Sequence, residues 1–394
     1  VINEALFTDE VQAYLAAHES TPISSFIFKG SPFSEITIQE LAQQLEGKRR
    51  AKEKLPLWYE TDGIIFPPKL NLEQTSSAQT ATYKASLITG QTLVDGTGGF
   101  GIDSYYFSQV VPEVIHVEMN AKLSAFAKAN FKTLKAKNIT CVAGDSISYF
   151  QNTEDTYDTI FLDPGRRNDN KGKVFMLADC LPNVPASLLL LLSKCKTLWV
   201  KTAPMLDIAA GLRELHNVTE IHIVAVKNEV KELLWKIEGK VSPTGLRVHC
   251  VNLNERSSDH ITMSYEALIL ASATYGNVAN FLYEPMATLM KAGAFQWVSG
   301  HFKLAKLHEH SHLYTSKDLV EFPGRRFKVI DVLPFSKSLR KHIKFAKANV
   351  TTRNFPLSVE EIRKRLKIKE GGKDYLFFTT LDKNHKVVIV CKKI

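Results

Sequence analysis

Leu93-Val94-Asp95-Gly96-Thr97-Gly98-Gly99-Phe100-Gly101-Ile102-Asp103 decides the fold of this 394-residue chain. An apolar strand ends on a carboxylate and runs straight into a glycine-packed turn and a helix. Glycine tolerates positive φ and lets the backbone approach a ligand that a Cβ would block, so the stretch reads as a cradle for a nucleotide-like cofactor. Three further strands repeat the pattern. Val114-Ile115-His116-Val117 ends on Glu118, where a carboxylate can accept both hydroxyls of a ribose. Ile139-Thr140-Cys141-Val142-Ala143-Gly144 leads to Asp145-Ser146, suited to the amino edge of an adenine, and Thr159-Ile160-Phe161-Leu162 ends on Asp163-Pro164. The acids lie 23, 27 and 18 residues apart, each interval room for one helix and one strand. Successive strands of an α/β sheet bring their C-terminal ends to one edge, so all four carboxylates are predicted along one crevice.

A glycine-rich turn alone is shared with dinucleotide enzymes and with purely structural turns. In a dinucleotide fingerprint the glycines come first and the acid waits for the second strand. Here an acid, Asp95, precedes the glycines.

Charge divides the chain in a second way. Net charge is +9, yet residues 301–394 hold 22 Lys and Arg against 9 Asp and Glu, a balance of +13, while the first 300 residues balance at −4. Such asymmetry points to a polyanion-binding module joined to a separate catalytic domain. A hydrophobic fraction of 44% supports a sizeable core. The longest apolar run, Val184 to Leu192, is broken by Pro185 and Ser187 and is too short to span a bilayer, and no secretory pattern opens the sequence. Five scattered cysteines without a C-x-x-C pair argue for a reducing cytoplasm and against zinc. His308, His310 and His312 are expected on a surface strand or loop rather than around a metal.

Four parts are expected: a helical region over 1–70, a catalytic domain over 71–277, a small connecting module with few regular signals over 278–321, and a basic domain over 322–394. Gln74, Ser76, Ser77 and Thr80 precede the first strand and are candidates either for ligand contact or for capping a helix. In the basic domain, Phe327 to Val332 alternates like a strand, and Ser336 to Ala348 is predicted helical with Leu339 and Ile343 inward. Arg340, Lys341, Lys344 and Lys347 would then share the outer face. Ser358-Val359-Glu360-Glu361 is a capping-box start for a helix ended by Gly371-Gly372, and Tyr375 to Leu381 with Lys386 to Cys391 forms a closing hairpin. Basic residues interleaved with Phe345, Phe355 and Tyr375 suit RNA.

The order of strand-end acids around the glycine turn resembles the Rossmann-like S-adenosylmethionine methyltransferases. The whole chain from about residue 70 looks like the bacterial class I methyltransferases that carry a C-terminal THUMP-like domain. The marks are Val94 to Gly101, Leu162-Asp163-Pro164-Gly165-Arg166-Arg167, Phe322-Pro323-Gly324-Arg325-Arg326-Phe327 and Thr351-Thr352-Arg353-Asn354-Phe355-Pro356-Leu357-Ser358. The resemblance implies an α/β fold: a Rossmann-like methyltransferase sheet with an N-terminal helical cap and a small basic C-terminal α/β domain. It implies S-adenosylmethionine as cofactor, with Asp95, Gly96, Thr97, Gly99 and Gly101 at the methionine end, Glu118 at the ribose, and Asp145 with Ser146 at the adenine. THUMP domains present structured RNA, so tRNA or rRNA is the implied partner.

Methyl transfer is an in-line displacement that needs mainly positioning. Asp163 and Pro164 are expected to position a base as acceptor. Enzymes that methylate exocyclic amines usually follow this acid with a second proline and an aromatic ring; this chain has Gly165-Arg166-Arg167 instead, whose guanidinium groups can stack on a base or grip phosphate. Lys201 leaves the fifth strand on the crevice side and is a candidate for binding a substrate anion. Arg325, Arg326, Arg340, Lys341, Lys344, Lys347 and Arg353 are candidate RNA contacts. A small-molecule methyltransferase and a non-catalytic RNA-binding protein on the same scaffold are the competing readings.

Overall fold

The computed structural model describes residues 3–166, 176–239, 245–254, 258–343 and 345–394. The chain divides into two compact units, one of residues 1–222 with 231–244 and one of 223–230 with 245–394.

The first unit is an α/β sheet. Its strands are β1 (Thr92–Asp95), β2 (Glu113–Glu118), β3 (Ile139–Ala143), β4 (Tyr157–Leu162), β5 (Cys195–Thr202), β6 (Val218–Val226) and β7 (Glu229–Glu238), in the order β6-β7-β5-β4-β1-β2-β3. The turn between β6 and β7 falls in the second unit's share of the chain. β5, β4, β1, β2 and β3 are parallel, and β7 lies antiparallel against β5. The chain reverses direction in order at β1, which leads to β2 on one side and lies beside β4 on the other. Ligands bind at such a switch point, beyond the carboxyl ends of the strands. β1 and β4 are almost wholly buried, as strands covered on both faces must be.

Residues before β1 are helical, with helices at Asp9–Ala17, Ile23–Phe28, Ile38–Lys54, Pro56–Glu60 and Lys69–Gln74. The longest opens on a capping box, Thr37 with Glu40. One apolar cluster joins Leu41, Leu45, Trp58 and Phe66 of this region to Phe100 of the glycine turn and to Ile102, Leu123 and Phe126 of the sheet-covering helices. The cap is therefore part of the first unit's core. A polar clasp fixes the entry: Asn130 Oδ1 accepts from Ile65 N at 2.9 Å and Asn130 Nδ2 donates to Ile65 O at 2.9 Å, both buried.

In the second unit β8 (Arg247–Leu253) and β9 (Ser258–Ser264) pair antiparallel. A separate seven-stranded sheet is built from β10 (Phe281–Pro285), β11 (Ala305–Lys306), β12 (Tyr314–Ser316), β13 (Gly324–Pro334), β14 (Asn349–Arg353), β15 (Asp374–Thr380) and β16 (Lys386–Lys393), in the order β11-β12-β10-β13-β16-β15-β14. The stretch over 278–321, expected to be poor in regular structure, supplies three of these strands and two helices, Ala287–Lys291 and Phe295–Phe302. Its short strands gave too little alternation to read, but β10 is a central strand, hydrogen-bonded to β13. Leu282, Leu307 and Leu313 share a core with Phe327, Phe377 and Ile389. No helix among the described residues is long and apolar enough to cross a membrane.

Asn130→Ala is expected to leave both polar groups of Ile65 buried without partners, and to lower the unfolding free energy by about 2–4 kcal/mol. Urea titration of the full chain measures it; a midpoint unchanged from the parent would show that water replaces the clasp.

Candidate active site

The glycine turn is tied at both sides. Gly96 N donates to Phe161 O of β4 and Gly98 N to Val117 O of β2, each at 2.9 Å. These bonds pull the turn against its neighbours so closely that a Cβ on Gly98 would stand 2.2 Å from the His116 ring. Gly101 has φ +85°, and a Cβ there would meet Phe131 at 2.5 Å. Gly99, at φ +55°, faces open space, its nearest neighbour being Thr97 O at 3.8 Å.

Asp95 is buried beneath this turn. It accepts from Thr97 N at 3.2 Å and from Ser104 Oγ at 2.5 Å, and Ser104 Oγ in turn lies 3.0 Å from His116 Nδ1. Burial pushes the Asp95 carboxyl up to about 7, partly offset by its bond from Ser104. Burial pulls the His116 imidazole down to about 4. Asp95 is thus turned into the loop that it shapes.

Of the remaining strand-end acids, Glu118 and Asp145 are held by backbone N–H groups. Glu118 accepts from Gly99 N at 2.8 Å and Asn120 N at 2.7 Å, one bond to each carboxylate oxygen. Asp145 caps the helix Ser146–Asn152 through Ser148 N at 2.8 Å. Asp163 N donates to Thr97 Oγ1 at 2.6 Å, which joins the fourth strand end to the glycine turn. Asp95, Glu118, Asp145 and Asp163 all border one cavity of about 350 Å³, with Gly96, Thr97, Gly99 and Ser146. Gly101, Pro164 and Lys201 are not among its lining residues. Of the four candidates before β1, Gln74 and Ser76 reach the cavity, whereas Ser77 and Thr80 close a capping box on the helix Ala78–Leu87.

A layer of buried charge backs this cavity, and most of it escaped the sequence reading. Lys84 is 2% exposed; its Nζ lies 2.7 Å from Ser76 Oγ, 3.1 Å from Asp103 Oδ1 and 3.1 Å from Glu232 Oε2. Ser76 Oγ donates to Asp103 Oδ2 at 2.8 Å. Lys201 Nζ pairs with Asp163 Oδ2. Burial alone would pull Lys201 down, but Asp163, Glu232 and Asp103 outweigh it and hold the ammonium above its ordinary range. Burial pushes Glu232 up, while Lys84 and Lys201 draw it the other way. The local signal was a lysine on the inner, alanine-lined face of its helix beside Thr80, Ala81 and Ala85, and an acid leading into the apolar run Leu233-Leu234-Trp235.

The basic residues of the second unit are more engaged than expected. Glu284, 5% exposed, takes Arg325 Nε at 2.5 Å and Arg353 Nη2 at 2.8 Å, so both guanidinium groups are tied to one buried carboxylate. Arg326 pairs with Glu321 at 2.9 Å. The helix predicted over 336–348 covers only Leu339–His342, so its supposed basic face does not form. Ser338 makes no side-chain cap there, and downstream Lys369 N donates to Ala346 O and Ala348 N to Lys369 O, which holds 346–348 extended beside Lys369. Arg340 and Lys341 are exposed on the short helix, and Lys347 sits in a bridge with Lys369. The helix opened by Ser358 stops at Leu366, before Gly371, on Lys367 at φ +58°. Arg167, Lys344 and the Arg166 side chain lie outside the described residues. Of the histidine tract, His312 stacks on Phe295 at 3.7 Å and His308 bonds Asn354 at 3.0 Å.

Residues 324–393 match the model of a THUMP domain-like family, and residues 281–323 that of a ferredoxin-like domain. A crystal structure from Porphyromonas gingivalis W83, provisionally described as a methyltransferase, is 31% identical and superposes with a TM-score of 0.90, covering 100% of this chain and 99% of that one. The chain belongs to the family of that protein. Two smaller structures overlap part of it: an rRNA methylase from Streptococcus thermophilus (12% identity, TM-score 0.30, 40% of this chain and 93% of that one) and a provisionally described methyltransferase from Streptococcus mutans in complex with SAH (12%, 0.31, 40% and 95%). Likeness at that level bears no weight for function. No curated protein matches the sequence.

Asp95 and His116 titrate in opposite senses. Raised above its unfolded value, Asp95 contributes stability that is full at low pH and is lost as pH climbs toward about 7; depressed His116 contributes stability above its unfolded value that is lost as pH falls toward about 4. Asp95→Asn removes the first effect and leaves the second. Between pH 4.5 and 6.5, set around these values, the variant should gain stability with pH more steeply than the parent. Urea midpoints across that range check it, and parallel profiles would refute it.

Proposed function

We propose that the chain is an S-adenosylmethionine-dependent methyltransferase acting on structured RNA, a tRNA or rRNA. The observation that carries this reading is four strand-end acids around one cavity beside a glycine turn, joined in one chain to a domain that matches the THUMP-like family. The cavity, about 350 Å³, is of the size that small-molecule sites occupy.

The residues present fit the cofactor. Glu118 is held by two backbone N–H groups in one orientation, with lone pairs left for a ribose diol. Asp145 and Ser146 stand at the next strand end for the adenine. Gly96, Thr97 and Gly99 border the cavity, and Gly99 offers bare backbone where a side chain would enter the cradle. When bound, the sulfonium supplies an electrophilic methyl group. The protein's own task is to hold the acceptor in line with it, and Asp163, fixed through Thr97 to the same turn, is the group that does so. The charge of +13 over residues 301–394 supports a polyanionic substrate.

Calorimetry with S-adenosylhomocysteine tests the cofactor half. The parent should bind, and Glu118→Ala should weaken binding by about 1–3 kcal/mol, since ribose hydroxyls lose their acceptor. Binding of NADH with S-adenosylhomocysteine ignored would overturn it.

RNA affinity should fall with salt at a log–log slope near −0.7 per phosphate neutralised on single strands. Arg340→Glu with Lys341→Glu should flatten that slope without changing cofactor affinity. A double variant that binds RNA like the parent at every salt concentration would assign those two residues to a solvated face.

A further inference from the structure

We propose that the methyl acceptor is a hydroxyl, the ribose 2′-hydroxyl of the RNA, and that Asp163 and Lys201 act on it, backed by the buried charges of Glu232, Asp103 and Lys84. This rests on the RNA methyltransferase reading above and replaces the base expected as acceptor from Asp163-Pro164 alone.

An exocyclic amine, a pyrimidine carbon and a hydroxyl demand different surroundings. An exocyclic amine needs hydrogen-bond acceptors and a ring to stack its base. Among the described residues bordering the cavity, the one aromatic side chain is Phe100, 3% exposed and part of the core. After Pro164, Gly165 stands where the amine-methylating pattern has its second proline, with nothing within 4 Å of a Cβ there, and Arg166 stands where it has the ring. A pyrimidine carbon needs a thiolate. Cys195 is buried, with its thiol pushed up to about 12 by burial, and no cysteine borders the cavity among the described residues. A hydroxyl is a weak acid and a weak nucleophile, and needs a proton acceptor with a fixed positive charge beside its oxygen.

That pair is what the crevice holds. Asp163 borders the cavity and Lys201 Nζ is bonded to its Oδ2. The carboxylates around Lys201 keep it protonated, so it serves as a permanent cation and the proton acceptor is Asp163. Behind them the charges alternate: Lys84 sits between Asp103 and Glu232 at 3.1 Å from each. Lys84 and Lys201 face three carboxylates, Asp103, Glu232 and Asp163, and of these Asp103 and Asp163 border the cavity. Burying such a cluster is costly and adds little stability against an apolar replacement, which favours a functional reason for it. Of the groups an internal RNA nucleotide presents, the 2′-hydroxyl is the free hydroxyl.

In the reaction, the hydroxyl oxygen gives a lone pair to the methyl carbon, the carbon–sulfur pair returns to sulfur, and the hydroxyl proton passes to the free oxygen of Asp163 and then to water. Lys201 stabilises the negative charge that gathers on the oxygen. A 2′-methyl ether results.

A 2′-O-methyl group blocks alkaline cleavage of the bond 3′ to it, which gives a direct test. RNA extracted from a strain lacking this gene is incubated with the purified full chain and a methyl-labelled donor, then digested with alkali. Label in alkali-stable dinucleotides is expected. Label in mononucleotides would overturn the hydroxyl acceptor and leave the RNA methyltransferase reading standing; no label in RNA would overturn both. Lys201→Met should lower the single-turnover rate by about 10²–10³-fold, the loss typical of removing one group that stabilises developing charge. Its calorimetric affinity for S-adenosylhomocysteine should stay within about two-fold of the parent's, since Lys201 does not line the cofactor cavity. Glu232→Gln should lower the rate at unchanged RNA affinity. Full rate in the Lys201 variant would overturn its role, and a loss of cofactor affinity equal to the loss of rate would make the cluster structural.

Discussion

The first unit hangs on two backbone hydrogen bonds, Gly96 N to Phe161 O and Gly98 N to Val117 O. They fasten one turn to the strands on either side of it, so the ends of β1, β2 and β4 are held at one level. Glu118 is then oriented by Gly99 N, and Asp163 by Thr97 Oγ1. The turn can come this close because Gly98 has no side chain where His116 sits. Any Cβ there would lift the turn from β2 and loosen every contact that follows from it, which is a larger disturbance than the volume of one methyl group suggests.

Behind the turn, the buried ions are a liability for folding. Lys84, Asp103 and Glu232 pair with one another and with Ser76, so removing one partner strands the others in a low dielectric. The same arrangement fixes charge without solvent reorganisation at the crevice wall. Stability and preorganisation therefore pull in opposite directions here, a conflict that natural sequences tolerate at functional sites.

The strand-end acids and the glycine turn were legible because their signals are local: an apolar run, a carboxylate, a glycine. Parallel topology then followed from spacing alone. Lys84 and Glu232 were not legible, since 148 residues separate partners that meet only in the folded chain. The helix predicted over 336–348 failed because backbone pairing with Lys369, a tertiary choice, overrode a periodic pattern four residues at a time. Between 278 and 320 the strands were too short for alternation to declare them. Arg325 and Arg353 read as basic surface because nothing in their neighbourhood announced Glu284.

Glu284 also crosses a boundary. It lies on β10, inside the stretch that matches the ferredoxin-like family, while Arg325 and Arg353 belong to the stretch that matches the THUMP-like family. β10 runs hydrogen-bonded along β13, and Gly324 packs so tightly on Glu284 O that a Cβ would stand 2.3 Å from it. Two family names thus describe one cooperative body. A recombination event or a cloning junction placed between Pro323 and Gly324 would cut through a sheet and strip two arginines of their counter-charge, so neither module is a unit that can be moved alone.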